Sequence, residues 1–212
     1  MNHLKLVPAV LLSAVSAVHA ADEPHYMVMA QHDIFEVRQY APYIVAEVQV
    51  PGPVNEAGNQ GFRILADYIF GNNKGAPNVD RHAAVLTVPT PVKIEMTAPV
   101  MQTAFDTGFK VQFVMPSEFN LDTLPAPGDS RIKLCAYPAQ TVAVIRYSGS
   151  WSDKNYADHL QQLRHAAAQV GVLTKGEPVF ARYDAPFVPS FFRRNEIWLT
   201  VQPIGDRLSE TL

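Results

Sequence analysis

Two stretches of the chain place apolar residues at the spacing of an amphipathic helix. The first covers roughly residues 54–70 and stops at Gly71, and its apolar positions are Phe62, Leu65, Ala66 and Ile69. The second follows a suitable N-cap, Ser152, and ends before Gly171, and its apolar stripe consists of Tyr156, Leu160, Leu163, Ala167 and Val170. Residues three or four apart lie on one side of a helix. Both patterns therefore predict a helix that packs one face against the rest of the protein.

Strand-like runs surround these helices in a repeated order. Residues 40–52 parallel residues 137–149, which lie 97 positions further on, and Tyr, Val-Ala and Gly coincide in the two runs. β-Branched and aromatic residues dominate both, which predicts a strand before each helix. Two more extended runs follow each helix, over residues 93–102 and 109–115 and over residues 179–183 and 196–202. The pattern predicts a strand-helix-strand-strand unit that is used twice.

Neither unit can bury its sheet face alone, so we expect the two to pack about a pseudo-two-fold axis. The predicted fold is α+β, with a distorted barrel-like antiparallel sheet flanked by two helices. Its pseudo-symmetric halves would cover about residues 33–116 and 131–203. Between them, prolines and glycines predict loops over residues 72–91, with a short strand at 83–88, and over residues 117–130.

The first twenty residues have the layout of a secretory signal peptide. Lys5 supplies a positive charge, residues 6–15 are apolar, and a small residue, Ala20, precedes the expected cleavage site. The apolar run is about half the length that spans a membrane. We therefore expect cleavage after Ala20, a single domain over residues 21–212, no membrane segment in that domain, and a periplasmic or secreted location.

The charge balance limits the classes of partner. The chain has 17 basic and 20 acidic side chains and a formal net charge of −3, and loss of Lys5 with the leader makes it more acidic. This acidity argues against nucleic acid or an anionic membrane as the principal partner. The one cysteine, Cys135, cannot form an internal disulfide and lies in a strand-like run, where a small buried side chain is expected.

The sequence contains no recognisable catalytic motif. A glycine-rich phosphate loop, HExxH, paired CxxC and a nucleophile elbow are all missing, and the carboxylates are scattered. We therefore predict that the protein is not an enzyme. Five histidines follow the leader, and none of them has the i, i+4 spacing of a helical metal pair. His32, ahead of the first strand, and His82, in the long loop, are the candidate metal ligands.

Four motifs occur in order along the chain: residues 34–48, 93–100, 113–116 and 193–199. Three shorter ones, residues 68–71, 147–149 and 182–186, fit between them. In this combination the chain resembles the SOUL haem-binding family from about residue 33 to residue 202. The resemblance implies a barrel-like sheet with two helices in pseudo-symmetric halves. It also implies non-covalent binding of haem or another tetrapyrrole in an apolar cleft beside the first helix.

The resemblance also implies site residues. Phe62 and Ala66 match apolar positions of the cleft, and Tyr183 matches a tyrosine at its rim. Arg63 is the only cation of the first helix and would meet a propionate, whereas Asn59 and Asp67 stand where family members favour positive charge. The chain also departs from the family pattern in its extended loop before residue 93.

Iron ligation is the point at which the chain departs most from some members of the family. Gln39 stands where those members carry a proposed axial histidine, and glutamine is a poor iron ligand. The resemblance therefore implies a tetrapyrrole held by apolar contacts.

Other interpretations of the same residues stay open at this stage. Residues 193–196 are interpreted as a structural ion-pair and turn cluster, and Trp151 and Trp198 as packing residues. The cleft could take other flat apolar molecules. Alternatively, the second helix or the proline-rich segment 185–189 could contact another protein without haem.

Overall fold

A computed structural model of the chain describes residues 22–75 and 90–203. The predicted leader, the predicted strand at 83–88 and His82 lie outside these residues. The described chain forms one nine-stranded antiparallel sheet that curls into a half-barrel, with two helices. The strands are β1 (Tyr26–Gln31), β2 (Glu36–Tyr40), β3 (Tyr43–Pro51), β4 (Val100–Phe105), β5 (Gly108–Val114), β6 (Lys133–Tyr137), β7 (Gln140–Tyr147), β8 (Thr174–Arg182) and β9 (Asn195–Val201). The helices are α1 (Val54–Ile69) and α2 (Asp153–Gln169).

The order of strands confirms the predicted duplication. The sheet runs β1-β2-β7-β9-β8-β4-β5-β3-β6, and the two repeated halves meet at its centre, between β8 and β4. Outward from this centre, β4, β5 and β3 on one side correspond to β8, β9 and β7 on the other. The predicted units are therefore β3-α1-β4-β5 and β7-α2-β8-β9, and Val45 and Val142 occupy equivalent strands.

The repeat is longer than the sequence pattern indicated. β2 covers residues 36–40 and β6 covers residues 133–137, which are again 97 positions apart. Each of these strands pairs with the opposite half, β2 with β7 and β6 with β3. The true unit has five elements, and the two halves exchange their first strands. This exchange ties the halves into one sheet.

Both helices follow the predicted bounds closely. The hydroxyl of Ser152 accepts a hydrogen bond from the backbone N–H of Asn155, as expected of an N-cap. Gly171 follows the end of α2 with φ 74°, a left-handed conformation that glycine adopts without strain. The prediction that Val170 belongs to the apolar stripe of α2 was wrong. Val170 is the C-cap residue, which follows the last helical turn, and it is 51% exposed. No helix within residues 22–75 and 90–203 is long and apolar enough to cross a membrane.

Side-chain alternation along the strands separates three apolar clusters. On one face of the sheet, α1 packs against β3 and β5 and covers one cluster, and α2 packs against β7 and β8 and covers a second. In β7, for example, Ala143 and Ile145 belong to the α2 cluster, whereas Val142 and Val144 point to the other face. That inner face holds the third cluster, which is built around Trp198. The helices therefore lie side by side on the outside of the half-barrel.

The predicted strand over residues 93–102 is shorter than expected, because pairing starts only at Val100. Pro99 has no N–H to give to a strand ladder. The N–H groups of Ile94 and Ala98 are used elsewhere, by the carbonyls of Ile69 and Asp22. This segment runs across the end of α1 and leads into β4.

Asn73 fixes both ends of the long loop that the sequence predicted. Its amide nitrogen donates to the carbonyls of Tyr68 and Val92, and its amide oxygen accepts from the N–H groups of Gly75 and Val92. The side chain is buried, and all these contacts are to backbone. Asn73 therefore ties the backbone at Gly75 to the backbone at Val92 beside the end of α1.

Candidate functional site

A groove of about 440 Å³ lies between α1 and α2 on the outer face of the sheet. We call it the interhelical groove. Its floor is formed by the central strands β4 and β8, one side by the start of α1, and the other by the first two turns of α2. The lining residues are Val54, Gln102, Ala104, Phe109, Trp151, Ser152, Asp153, Tyr156, Ala157, Leu160, Arg164, Glu177, Pro178, Phe180 and Arg182. The groove is thus apolar and aromatic in the middle and charged at its edges.

The aromatic wall is held in a fixed arrangement. The rings of Tyr156 and Phe180 are tilted against each other with centroids 5.0 Å apart. The indole nitrogen of Trp151 donates to the side-chain oxygen of Asn195 at 2.7 Å. The Trp151 ring also contacts two guanidinium groups, of Arg193 at 4.3 Å and of Arg182 at 4.9 Å. These contacts fix the ring planes that a flat ligand would meet.

Arg182 places a positive charge at the floor of this groove. Its side chain projects from β8 on the helix-facing side, over the ring of Phe180 at 4.7 Å. One amino group donates to the side-chain oxygen of Gln102 at 3.3 Å, while the buried Nε has no partner. Within the described ranges no carboxylate forms an ion pair with it. Burial, together with the nearby positive charge of Arg193, lowers the pKa of Arg182 to about 10.

The sequence-predicted residues of α1 do not line this groove. The lining residue from α1 is Val54, about two turns before Phe62 and about three turns before Ala66. The ring of Phe62 packs edge-on against Phe113 at 5.3 Å, and both Phe62 and Ala66 are half-buried against the α1 cluster. Arg63 is exposed. One turn earlier, at Gly58, an added Cβ would lie 2.8 Å from the Gln102 side-chain oxygen and 3.5 Å from an Arg182 amino group. The missing side chain at Gly58 lets α1 approach the groove floor.

Tyr183 does not join these residues, because its side chain belongs to the inner cluster on the other face of the sheet. Its hydroxyl donates to Glu196 Oε2 at 2.8 Å, and the guanidinium of Arg194 stacks over its ring at 3.6 Å. Burial raises the pKa of Tyr183, and Glu196 raises it further. The structure therefore assigns this tyrosine to the interior and places Phe62 and Ala66 at the outside.

Glu196 is the centre of a buried charge network on that inner face. The side chain is 0% exposed. Its Oε2 accepts hydrogen bonds from Arg38 at 3.0 Å and from the indole of Trp198 at 2.9 Å, in addition to Tyr183. Its Oε1 accepts two bonds from Arg194, at 2.9 and 3.1 Å. Burial alone would raise the pKa of Glu196, but the two arginines lower it below its ordinary value. The interpretation of residues 193–196 as a structural ion-pair cluster is confirmed.

A family model described as SOUL heme-binding protein matches residues 21–200 of the chain. The chain belongs to the SOUL haem-binding family. The resemblance expected from the four sequence motifs is thereby confirmed. No curated protein matches the chain.

Solved structures share the fold of this SOUL-family chain at low sequence identity. The C-terminal domain of EcmrR matches with a TM-score of 0.54 and 16% identity, over 84% of this chain and 99% of that one. EcmrR in a complex with DNA matches with a TM-score of 0.53 and 15% identity, over 80% of this chain, which spans 57% of the EcmrR chain. A hydrolase from Listeria innocua matches with a TM-score of 0.54 and 11% identity, over 82% and 94% of the two chains. At these identities the likeness concerns the fold.

The histidine positions considered for this SOUL-family chain lie away from the groove. The ring of His32 stacks on Phe35 at 4.4 Å, against the α2 cluster. Gln39 lies on β2, at the opposite end of the strand order from β3 and β5, which support α1. His82 lies outside the described residues. No group of three His, Cys, Asp or Glu side chains in residues 22–75 and 90–203 is placed to hold a metal ion.

A second cavity, of about 290 Å³, lies at the other end of the molecule between residues 22–25, the turn 41–44 and the segment 114–119. Asp22 and Glu23 line it, and no lysine or arginine does. An acidic site of this kind suits a ligand with carboxylates poorly. The interhelical groove is both larger and provided with cations.

Sequence reasoning missed the polar part of the groove. Arg182 was expected only to belong to the motif at residues 182–186, and Trp151 was expected to be a packing residue. The available signal was the strand run Val179-Phe-Ala-Arg182, in which an arginine occupies the same face as a buried phenylalanine. Which carboxylate, if any, would pair with that arginine depends on tertiary structure.

Proposed function

We propose that the protein binds haem or another tetrapyrrole non-covalently in the interhelical groove, and that it acts as a carrier, buffer or scavenger outside the cytoplasm. Membership of a haem-binding family supports the ligand class. The signal-peptide pattern of residues 1–20 supports the location, which N-terminal sequencing of exported protein tests: residue 21 is expected first, and material that keeps residues 6–15 would contradict export. The scattered carboxylates support a binding role without catalysis.

The observation that carries this proposal is the aromatic groove beside the first helix. Its volume of about 440 Å³ falls in the ordinary range of small-molecule sites, about 300–1,000 Å³. A tetrapyrrole combines a flat apolar ring with polar groups at its edge. The groove offers Phe109, Tyr156 and Phe180 to the ring, and at its floor one buried donor, Arg182 Nε, lacks a partner. The residues present therefore fit such a ligand.

Iron ligation is expected to contribute little to binding. The groove lining contains no histidine, cysteine or methionine. Tyr156 is the one lining residue with a phenol, and burial raises the pKa of Tyr156 to about 12, so its phenolate form is disfavoured. Most of the affinity then comes from apolar contact, worth roughly 25 cal/mol per Å² before the cost of association is subtracted. We expect moderate affinity.

Absorbance titration with haemin, zinc protoporphyrin and metal-free protoporphyrin tests this function. Because the affinity comes from the ring rather than the metal, we expect all three to bind at one site per chain with dissociation constants within about tenfold of one another. Failure of all three to bind would refute the proposal. Strong binding of haemin alone would show that an iron ligand had been missed, and would move the site towards a histidine.

The same groove supports an alternative, binding of other flat apolar molecules, since nothing in its lining selects for iron. A metal-free polycyclic aromatic compound without a tetrapyrrole ring distinguishes the two. If that compound competes with haemin at equal affinity, the groove recognises flatness and apolar area alone. If haemin binds at least about tenfold more tightly, the tetrapyrrole class is favoured.

A protein-interaction role has its own support, in the loop between β8 and β9. Phe187, Phe191 and Phe192 are 88%, 67% and 73% exposed. Exposed aromatic side chains in one loop are typical of contact surfaces. Pull-down from the exported fraction with wild-type protein and a Phe187→Ser, Phe191→Ser variant tests this role. Partners that are lost with the variant would support it, and identical recoveries would contradict it.

A further inference from the structure

The two orphaned donors of the structure lie in one neighbourhood. Among buried side-chain nitrogen and oxygen atoms of the described residues, those without a hydrogen-bond partner are the hydroxyl of Tyr147 and Nε of Arg182. Tyr147 is 7% exposed. Each group shifts the pKa of the other: burial raises the pKa of Tyr147 and Arg182 opposes that rise, while Tyr147 opposes the lowering of the Arg182 pKa by burial. Tyr147 on β7 and Arg182 on β8 both pair with Asn195 of β9, so their side chains project from one row of the sheet on its helix-facing side. Arg182 lines the groove and Tyr147 does not.

The charges around Arg182 do not neutralise it. Arg193 lies on the other face of the Trp151 ring system and adds positive charge. Asp153 and Glu177 line the edge of the groove, where both side chains are exposed and neither forms an ion pair with Arg182. A buried guanidinium normally pairs with a carboxylate, because burying an unpaired charge is unfavourable. Here the described residues supply only the neutral oxygen of Gln102.

The helix α1 comes close to Arg182 on one side of the groove floor. α1 passes over Arg182 at Gly58, where an added Cβ would already approach an Arg182 amino group at 3.5 Å. The groove opens on the other side, towards Trp151 and Tyr156. A guanidinium at the base of aromatic walls is the usual arrangement for a planar carboxylate, which accepts two parallel hydrogen bonds.

We infer that the groove floor is a carboxylate-binding subsite, in which Arg182 pairs with a carboxylate of a flat apolar ligand through its unpartnered Nε–H. In a tetrapyrrole this group is a propionate, so the inference rests in part on the proposed function. It differs from the sequence-based expectation, in which Arg63 met a propionate. It also makes a chemical prediction for any flat aromatic acid.

The test compares ligands that differ only in charge. Mesoporphyrin IX and its dimethyl ester share one ring, and 2-naphthoate and 2-naphthamide share another. Binding is followed by fluorescence quenching of Trp151, which lies in the groove, and a Trp151→Phe variant identifies the part of the signal that Trp198 contributes. Wild type should bind each acid about tenfold or more tightly than its uncharged partner, as expected of a charge-assisted hydrogen bond.

Three variants assign that preference to a residue. Arg182→Met should abolish the preference for both acids and leave the uncharged ligands within about twofold of wild type. Arg182→Lys should retain part of the preference, because it keeps the charge. Arg63→Met, at an exposed position on α1, should retain most of it. Thermal unfolding of each variant establishes that it is folded.

The outcomes separate the subsite from the proposed function. If wild type binds acid and ester equally, or if Arg182→Met weakens both to the same extent, the subsite is refuted while tetrapyrrole binding stands. If no porphyrin binds but 2-naphthoate binds in an Arg182-dependent manner, the subsite stands and the proposed function fails. If the preference disappears in Arg63→Met and persists in Arg182→Met, the carboxylate lies on α1 and the inference is wrong.

Discussion

Replacing Glu196 by glutamine tests the buried charge network directly. The change keeps the volume of the side chain but removes its negative charge. Arg38 and Arg194 would then lose their shared counter-ion and keep only Glu36 and Glu23, respectively, as ion-pair partners. The amide nitrogen of the glutamine would face N–H or O–H donors to which a carboxylate oxygen now accepts. We also expect the hydrogen bond from the Tyr183 hydroxyl to weaken, since Tyr183 and Arg38 donate to the same oxygen of Glu196, Oε2.

The expected loss follows from the burial of these groups. Glu196 is 0% exposed and the Arg38 side chain 4% exposed, so water screens their attraction little. Removing one partner of a buried pair costs about 3–5 kcal/mol. For a domain of this size each kcal/mol lowers the melting temperature by roughly 2–4 °C. We expect the melting temperature of Glu196→Gln to fall by about 6–20 °C.

Thermal unfolding followed by circular dichroism and by Trp198 fluorescence measures this loss. Glu95→Gln is the matched control, since Glu95 is exposed on the segment before β4 and the same chemical change should alter stability by less than about 0.5 kcal/mol. A loss below about 1 kcal/mol in Glu196→Gln would refute the reasoning, because it would mean that Glu36 and Glu23 suffice to neutralise the two arginines.

Three further predictions concern other parts of the fold. The pKa of Glu196 is lower in the folded than in the unfolded chain, so its stabilisation is complete above about pH 4.3 and is lost as the pH falls through the folded pKa. The free energy of urea unfolding should therefore depend less on pH between pH 2 and 6 in Glu196→Gln than in wild type. An unchanged pH dependence would show that Glu196 does not contribute to it. Gly61→Ala should cost about 1–3 kcal/mol, because its Cβ would meet the Val111 side chain at 2.5 Å. Gly58→Ala should cost less, because its Cβ would meet the end of the Gln102 side chain at 2.8 Å and an Arg182 amino group at the ordinary distance of 3.5 Å. Equal melting temperatures of the two variants would contradict this. His32→Ala should change haemin affinity by less than about twofold, since its ring stacks on Phe35, and loss of haemin absorbance in this variant would move the site.

The fold was predictable because its signals are local and repeated. Helical spacing gave α1 and α2 almost to the residue, and the repeated Tyr, Val-Ala and Gly gave the two halves. The exchange of β2 and β6 between the halves was not predictable, because strand pairing across the sheet depends on contacts far apart in sequence. The same holds for the start of β4 at Val100, which is set by hydrogen bonds from Ile94 and Ala98 to other segments.

The candidate site was predictable only in part. The resemblance implied an apolar cleft beside α1 with Phe62 and Ala66 on its wall, and that placement stays a prediction. The interhelical groove has Val54 as its lining residue from α1 and lies mainly against α2. Tyr183 was expected at the rim because the resemblance matches it to a tyrosine there, but alternate residues of a strand face opposite sides of a sheet. Tyr183 accordingly points to the inner face and Arg182 to the groove. The position of Arg182, whose buried Nε lacks a hydrogen-bond partner, required the tertiary structure.

Haemin titration of two tryptophan variants of α2 tests the placement of the ligand most directly. Ala157 is exposed and lines the interhelical groove, whereas Ala168 is exposed on the same helix outside the lining. Ala157→Trp should fill the groove and weaken haemin binding by about tenfold or more, while Ala168→Trp should bind within about twofold of wild type. Equal affinity of wild type and both variants for haemin would contradict binding in the interhelical groove.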